Sequence, residues 1–218
     1  MPRTLITEEM VVKASRDGLK SIEVPPGSIL TPLSQERALQ LGISLVPPKE
    51  QEPQTPKDLP QKASQGGDRG VVVFGSDHGG FQLKEQLKVY ATTLGYPVAD
   101  VGTMSEESCD YPDYAYAVAL SVSTGNAWRG VMIDGAGIGS CVVANKVPRV
   151  RAACCHNEFV ARNAREHNDT NVLTLGSRVT GIEVCKEILR IWLESWFSGG
   201  RHKQRVDKIE DVEKRYLK

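Results

Sequence analysis

From Gly70 onward the sequence predicts an α/β fold, a parallel sheet with helices on both faces, preceded by a small module on a proline-rich linker. Three observations carry this. Short apolar runs alternate with amphipathic stretches, the pattern of strands buried on both sides and of the helices that cover them. One run, Val131 to Ile133, ends in Asp134 and is followed at once by Gly135, Gly137 and Gly139: a strand, a glycine turn and a helix start. A polar stretch punctuated by prolines separates all of this from the first 46 residues.

The front module, 1–46, reads as helix, strand and helix. Thr7 can cap a helix whose first turn holds Glu8 and Glu9, where the helix dipole favours acids. Asp17 and Gly18 end it, and 21–24 is a short strand. Thr31 and Pro32 open a second helix closed by Gly42, with Leu33, Leu39, Leu41 and Ile43 as its apolar residues. So little apolar material predicts a module that leans on a partner, a second copy or the main domain. The linker, 47–69, sets Pro47, Pro48, Pro53, Pro56 and Pro60 among charged and amide side chains, a flexible composition. In the main domain, 70–218, strands are expected at 71–74, 98–101, 131–134, 150–155 and 171–175. Helices are expected at 81–94, 114–122, after the glycine loop to Lys146, 158–166, 181–197 and 203–216. No internal repeat is evident. Ligands of such folds collect at the carboxyl ends of the strands.

The 218 residues carry 27 basic and 27 acidic side chains, which argues against nucleic acid or an anionic membrane as the main partner. No apolar run nears the ~20 residues that span a bilayer, and the N-terminus lacks the apolar core of a secretory signal. Five cysteines without Cys-x-x-Cys spacing fit reduced thiols in a cytosolic protein, not a zinc site.

Five clusters could carry chemistry. Asp77 and His78 follow a strand and precede two glycines; they form either a turn and helix cap or a hydroxyl- and phosphate-binding strand end. Asp110, Tyr111 and Pro112 precede a helix, with Tyr111 as a cap neighbour or a pocket wall. The loop Gly135, Ala136, Gly137, Ile138, Gly139 fits neither the dinucleotide fingerprint nor a P-loop. Three glycines in five residues exceed the need of one turn and favour close backbone approach to a ligand. His167 stands among hydrogen-bonding neighbours at a helix end and can titrate near neutrality. Arg201 and Arg205, four apart on one helical face, can clamp a phosphate or simply form an exposed basic helix start.

Taken together, the stretches 75–80, 110–112, 135–139, 144–146, 167–171, 176–178 and 199–205 resemble, in order, the motifs of the type B ribose-5-phosphate isomerase family, which includes the galactose-6-phosphate isomerase subunits. The resemblance implies a Rossmann-like three-layer α/β/α fold. It implies an aldose–ketose isomerase without metal or cofactor, forming a homodimer or tetramer with sites at the dimer interface. By that likeness His167 opens the sugar ring, and His78, Arg201 and Arg205 hold the phosphate. Asp77 and Asn168 bind hydroxyls, the N–H groups of the glycine loop stabilise the enediolate, and Arg178 joins the phosphate or interface network.

One departure stands out. Well-known members carry a cysteine base where this chain has Asp134, and often a hydroxyl residue at Ala136; another branch uses a glutamate that falls at Ser140. Asp134 is the only carboxylate at either place and is the expected base, with Cys141 expected to serve helix packing. The expected reaction is ribose 5-phosphate to ribulose 5-phosphate. The alternatives are a tetrose or hexose phosphate, or a catalytically silent sugar-phosphate binder. In the front module Ile6 to Glu9, Ile29 to Leu33, Ala38 and Leu41 to Ile43 resemble N-terminal segments of some bacterial microcompartment enzymes, which implies docking to shell or cargo proteins through 1–46 and a cytoplasmic or microcompartment setting.

Overall fold

A computed structural model describes residues 4–25, 27–47 and 69–216. The chain divides into two compact units, one up to Gly70 and one from Val71. The linker expected at 47–69 lies outside the described residues except at Pro47 and Arg69.

The first unit contains β1 (Leu5–Ile6), α1 (Glu8–Arg16), β2 (Ser21–Glu23), β3 (Ile29–Leu30), α2 (Pro32–Leu41) and β4 (Ser44–Val46). Thr7 and Thr31 cap the two helices by accepting from Met10 N and Ser34 N, and Gly18 and Gly42 follow them in left-handed backbone. β1 pairs in parallel with β3, and β2 with β4. The unit is therefore a strand–helix–strand motif occurring twice, which corrects the expectation of no repeat. The likeness sits in caps, turns and small buried residues (Ala14 and Ala38), not in long apolar stretches. The unit also has a small core of its own, Ile6, Val11, Ala38 and Ile43, so the expectation of too little apolar material was too strict. Leu33, Leu39 and Leu41, expected as the apolar residues of α2, are exposed.

The second unit begins with β5 (Val72–Ser76), α3 (Phe81–Thr93), β6 (Val98–Asp100), α4 (Tyr111–Ser123) and β7 (Arg129–Asp134). It continues with α5 (Ile138–Ala144), β8 (Ala152–Cys154), α6 (Glu158–Asn168), β9 (Val172–Gly176), α7 (Ile182–Glu194) and α8 (Arg201–Tyr216). The five strands are all parallel, in the order β6-β5-β7-β9-β8. Alternate residues of the central strands (Val72 and Phe74, Val131 and Ile133, Leu173 and Leu175) pack on Leu87, Ala161, Ile188 and Trp192 of the helices over one face. Burying each such side chain contributes roughly 1.5–3 kcal/mol.

Two features define the ends of this sheet. At the amino ends of the strands, Arg129 donates to Trp192 O (2.5 Å), Leu193 O (2.9 Å) and Ser195 O (3.1 Å), tying off the end of α7. At the carboxyl ends, the loops after β5, β7 and β9 are joined to one another.

Candidate active site

The glycine loop is organised around Asp134. This buried carboxylate terminates β7, and its Oδ1 accepts from Ala136 N (2.8 Å) and Gly137 N. Its Oδ2 accepts from Ser140 N (3.1 Å) and Ser140 Oγ (2.5 Å). Four donors fill the lone pairs of a carboxylate, and bonds to a charged acceptor are the stronger kind. Gly137 adopts φ 79°, where a side chain is strained, and this bends the amides back onto Asp134. Gly139 lies beneath Tyr111, whose ring a Cβ would meet at 2.6 Å. Tyr111 is thus the wall of the loop as well as the first residue of α4.

Neighbouring loops lock this arrangement. Asp77 N donates to Ile133 O (3.1 Å), Ser177 N to Asp134 O (2.8 Å), Arg178 N to Gly135 O (3.1 Å) and Ser177 Oγ to Gly79 O (2.8 Å). Asp77 accepts from Gly80 N at 2.9 Å. Burial holds the Asp77 carboxyl above its usual range; the Asp134 carboxylate adds to this, against the Gly80 and Gly79 amides and His78. His78 Nδ1 stands 3.3 Å from Cys109 N and 3.2 Å from Cys109 O, so the backbone of one residue offers it both a donor and an acceptor. Cys141 lies past the loop with Sγ 3.5 Å from Ala152 O, and burial pushes its thiol up.

The other expected residues lie elsewhere. His167 and Asn168 end α6, a helix that starts after β8 at the carboxyl edge and returns to the start of β9. Asn168 O accepts from Arg151 Nε (3.1 Å), immediately before β8, which fixes this group at the amino edge. Gly176, at the carboxyl end of β9, pairs with Asp134. Four strand rises, about 13 Å, therefore separate His167 from Asp134 along the sheet.

His167 stacks on His202, ring centroids 4.0 Å apart and planes at 7°. Arg201 and Arg205, on either side of His202, are exposed, and among the described residues neither makes an ion pair. The first turn of α8 contains no acid. Burial first, then the neighbouring His167, Arg201 and Arg205 side chains, holds His202 below its usual range. The expected site residues thus fall into two groups on opposite edges of the sheet. The carboxyl edge groups Asp77, His78, Tyr111, Asp134, the loop 135–139 and Arg178; the amino edge groups His167, Asn168, Arg201 and Arg205.

Sequence reasoning missed Ser140 as a partner of Asp134, and Asn163, which lies 2.8 Å from His167 Nδ1. The i, i+4 spacing of Asn163 and His167 on α6 was the available signal for the latter.

Comparison with known proteins adds a lineage. The family model for Ribose/Galactose Isomerase matches residues 72–209, which leaves the duplicated unit outside it. Ribose-5-phosphate isomerase B of Escherichia coli is 45% identical over 144 residues, 66% of this chain and 97% of that protein. D-erythrulose-4-phosphate isomerase of Pectobacterium atrosepticum is 40% identical over 139 residues, 63% of this chain and 91% of that protein. Among solved structures, ribose-5-phosphate isomerase B of Clostridium thermocellum superposes with TM-score 0.66 at 47% identity, covering 67% of this chain and 99% of that one.

Proposed function

This chain belongs to the ribose/galactose isomerase family and is a sugar-phosphate aldose–ketose isomerase; from that premise we propose that it interconverts ribose 5-phosphate and ribulose 5-phosphate through an enediolate. The reaction moves a proton between adjacent carbons. It needs a base, a site for the developing oxyanion and an anchor for the phosphate. The observation that carries the proposal is the division into half-sites, one rich in carboxylates and loop amides, the other in histidine and arginine.

In this proposal two copies associate so that the amino edge of one faces the carboxyl edge of the other. His167 of one copy opens the ring, while His78, Arg201 and Arg205 bind the phosphate. Asp77 and Asn168 bind hydroxyls, and Arg178 supports the phosphate. Asp134 is the base through Oδ2, whose donors among the described residues both come from Ser140; the serine hydroxyl can rotate away while Oδ1 keeps its two loop amides. Since the Ala136 and Gly137 amides are used in this way, the oxyanion falls to Gly135, Ile138 and Gly139, the latter two in the first turn of α5, where N–H groups have no intrahelical acceptor.

A mixing experiment tests the arrangement. Asp134→Asn and the double variant Arg201→Ala/Arg205→Ala should each be nearly inactive alone. Coexpressed, they should regain about a quarter of wild-type turnover, since half the dimers then hold one intact site of two. No recovery rejects the shared site. A tetrose phosphate is the second substrate reading, favoured by the D-erythrulose-4-phosphate isomerase likeness; comparison of kcat/KM for the two sugars decides. The first unit is proposed to dock this cytoplasmic enzyme to shell or cargo proteins of a microcompartment. Deletion of 1–46 should abolish that association and spare turnover.

A further inference from the structure

His167 is held from two sides. Asn163, one turn earlier on α6, places its side-chain Nδ2 2.8 Å from His167 Nδ1. His202 covers one face of the ring, nearly parallel at 4.0 Å. Among the described residues no hydrogen bond reaches His167 Nε2.

An amide N–H can only donate. A ring nitrogen that receives it must carry a lone pair, so in the neutral imidazole the proton sits on the other nitrogen. We propose that Asn163 is a positioning residue that keeps His167 unprotonated at Nδ1 and protonated at Nε2, so that Nε2–H is the hydrogen-bond donor to the furanose ring oxygen of the substrate as that ring opens. The inference rests on the isomerase reading above and assigns to Asn163 a task carried out through His167.

The step balances as follows. The bond between C1 and the ring oxygen breaks while Nε2–H donates a hydrogen bond to that oxygen. The anomeric hydroxyl gives its proton to water and becomes the C1 aldehyde, and water delivers a proton to the ring oxygen, which becomes the C4 hydroxyl. His167 keeps its own proton throughout. His202 supplies a flat face against which the His167 ring cannot tilt, which fixes the direction of Nε2–H.

Ring opening can be separated from proton transfer at carbon. Ribulose 5-phosphate cannot close a furanose ring, because its 5-hydroxyl is phosphorylated. Deuterium uptake from solvent at C1 of ribulose 5-phosphate therefore reports the enediolate step alone. Asn163→Leu, close in volume but without the donor, should slow isomerisation starting from ribose 5-phosphate by about 5- to 10-fold, the equivalent of one hydrogen bond. Deuterium uptake should stay near the wild-type rate. An equal fall in both rates makes Asn163 merely structural and overturns the proposal, as does no fall in either.

Long-range proton–nitrogen spectra of the full-length protein give a second readout that needs no variant. With only four histidines to assign, they should show the neutral His167 ring with Nδ1 bare and Nε2 protonated. A protonated Nδ1 in the neutral ring overturns the assignment. A wild type inert toward both sugars removes the isomerase reading and the donor role with it, while the spectra still decide the tautomer.

Discussion

The two edges of the sheet are built on opposite plans. At the carboxyl edge the Asp134 carboxylate is surrounded by donors, and three loops are fastened to one another by backbone hydrogen bonds. At the amino edge two arginines stand exposed around a histidine stack, with no acid in the first turn of α8. The first arrangement is complete within its own chain. The second has surplus positive charge among the described residues. A reaction that demands a fixed base and a captured phosphate can be divided in this way, rigidity on one edge and charge on the other.

The sharpest way to break the contrast is to damage the rigid edge. Asp134→Asn should lower kcat by more than ~100-fold, the scale of a lost general base. Asp134→Ala should do the same and also lower the melting temperature, because each buried N–H left without a partner costs about 1–3 kcal/mol. Initial rates and thermal melts check both; a near-native rate for either variant rules out the base assignment.

The charged edge should respond differently. Arg201→Ala or Arg205→Ala should raise KM for the sugar phosphate about 10-fold or more, since a hydrogen bond to a charged group is worth about 1.5–3 kcal/mol. The melting temperature should not move. A destabilised variant with unchanged KM would assign these arginines to the fold instead of the ligand.

The smallest effect concerns strain stored in the rigid edge. Burial raises the Asp77 carboxyl in the folded state, so the folded chain favours its protonated form. The contribution of this group is therefore retained at low pH and lost as pH rises through its folded pKa. Asp77→Asn should raise the melting temperature at pH 7 by less than any of the effects above, and the gain should vanish near pH 4, where the unfolded carboxyl also protonates. Melts of both proteins across that range measure it.

Much of this was legible in the sequence. Apolar runs and helical spacing located all five strands and six helices of the second unit to within a few residues, because strands buried on both faces leave a continuous signal. Strand order was not legible, since pairing between distant segments leaves no local trace. The separation of the half-sites was present but unread: His167 precedes a strand and Asp134 ends one, which in a parallel sheet puts them on opposite edges. The duplication in the first unit escaped because its ladders are two and three residues long, too short for periodicity, and its repeated features are caps and turns. The hydrogen bonds that surround Asp134 depend on the left-handed turn at Gly137, a conformation that glycine permits but does not announce.

That duplication has a topological consequence. Both ladders of the first unit join its first half to its second; neither half pairs with itself. If two chains traded second halves, every strand would find the same neighbour in the same register. The same pairing scheme therefore suits a self-contained unit and an exchanged pair equally, and exchange of identical elements is a low-cost route to a dimer.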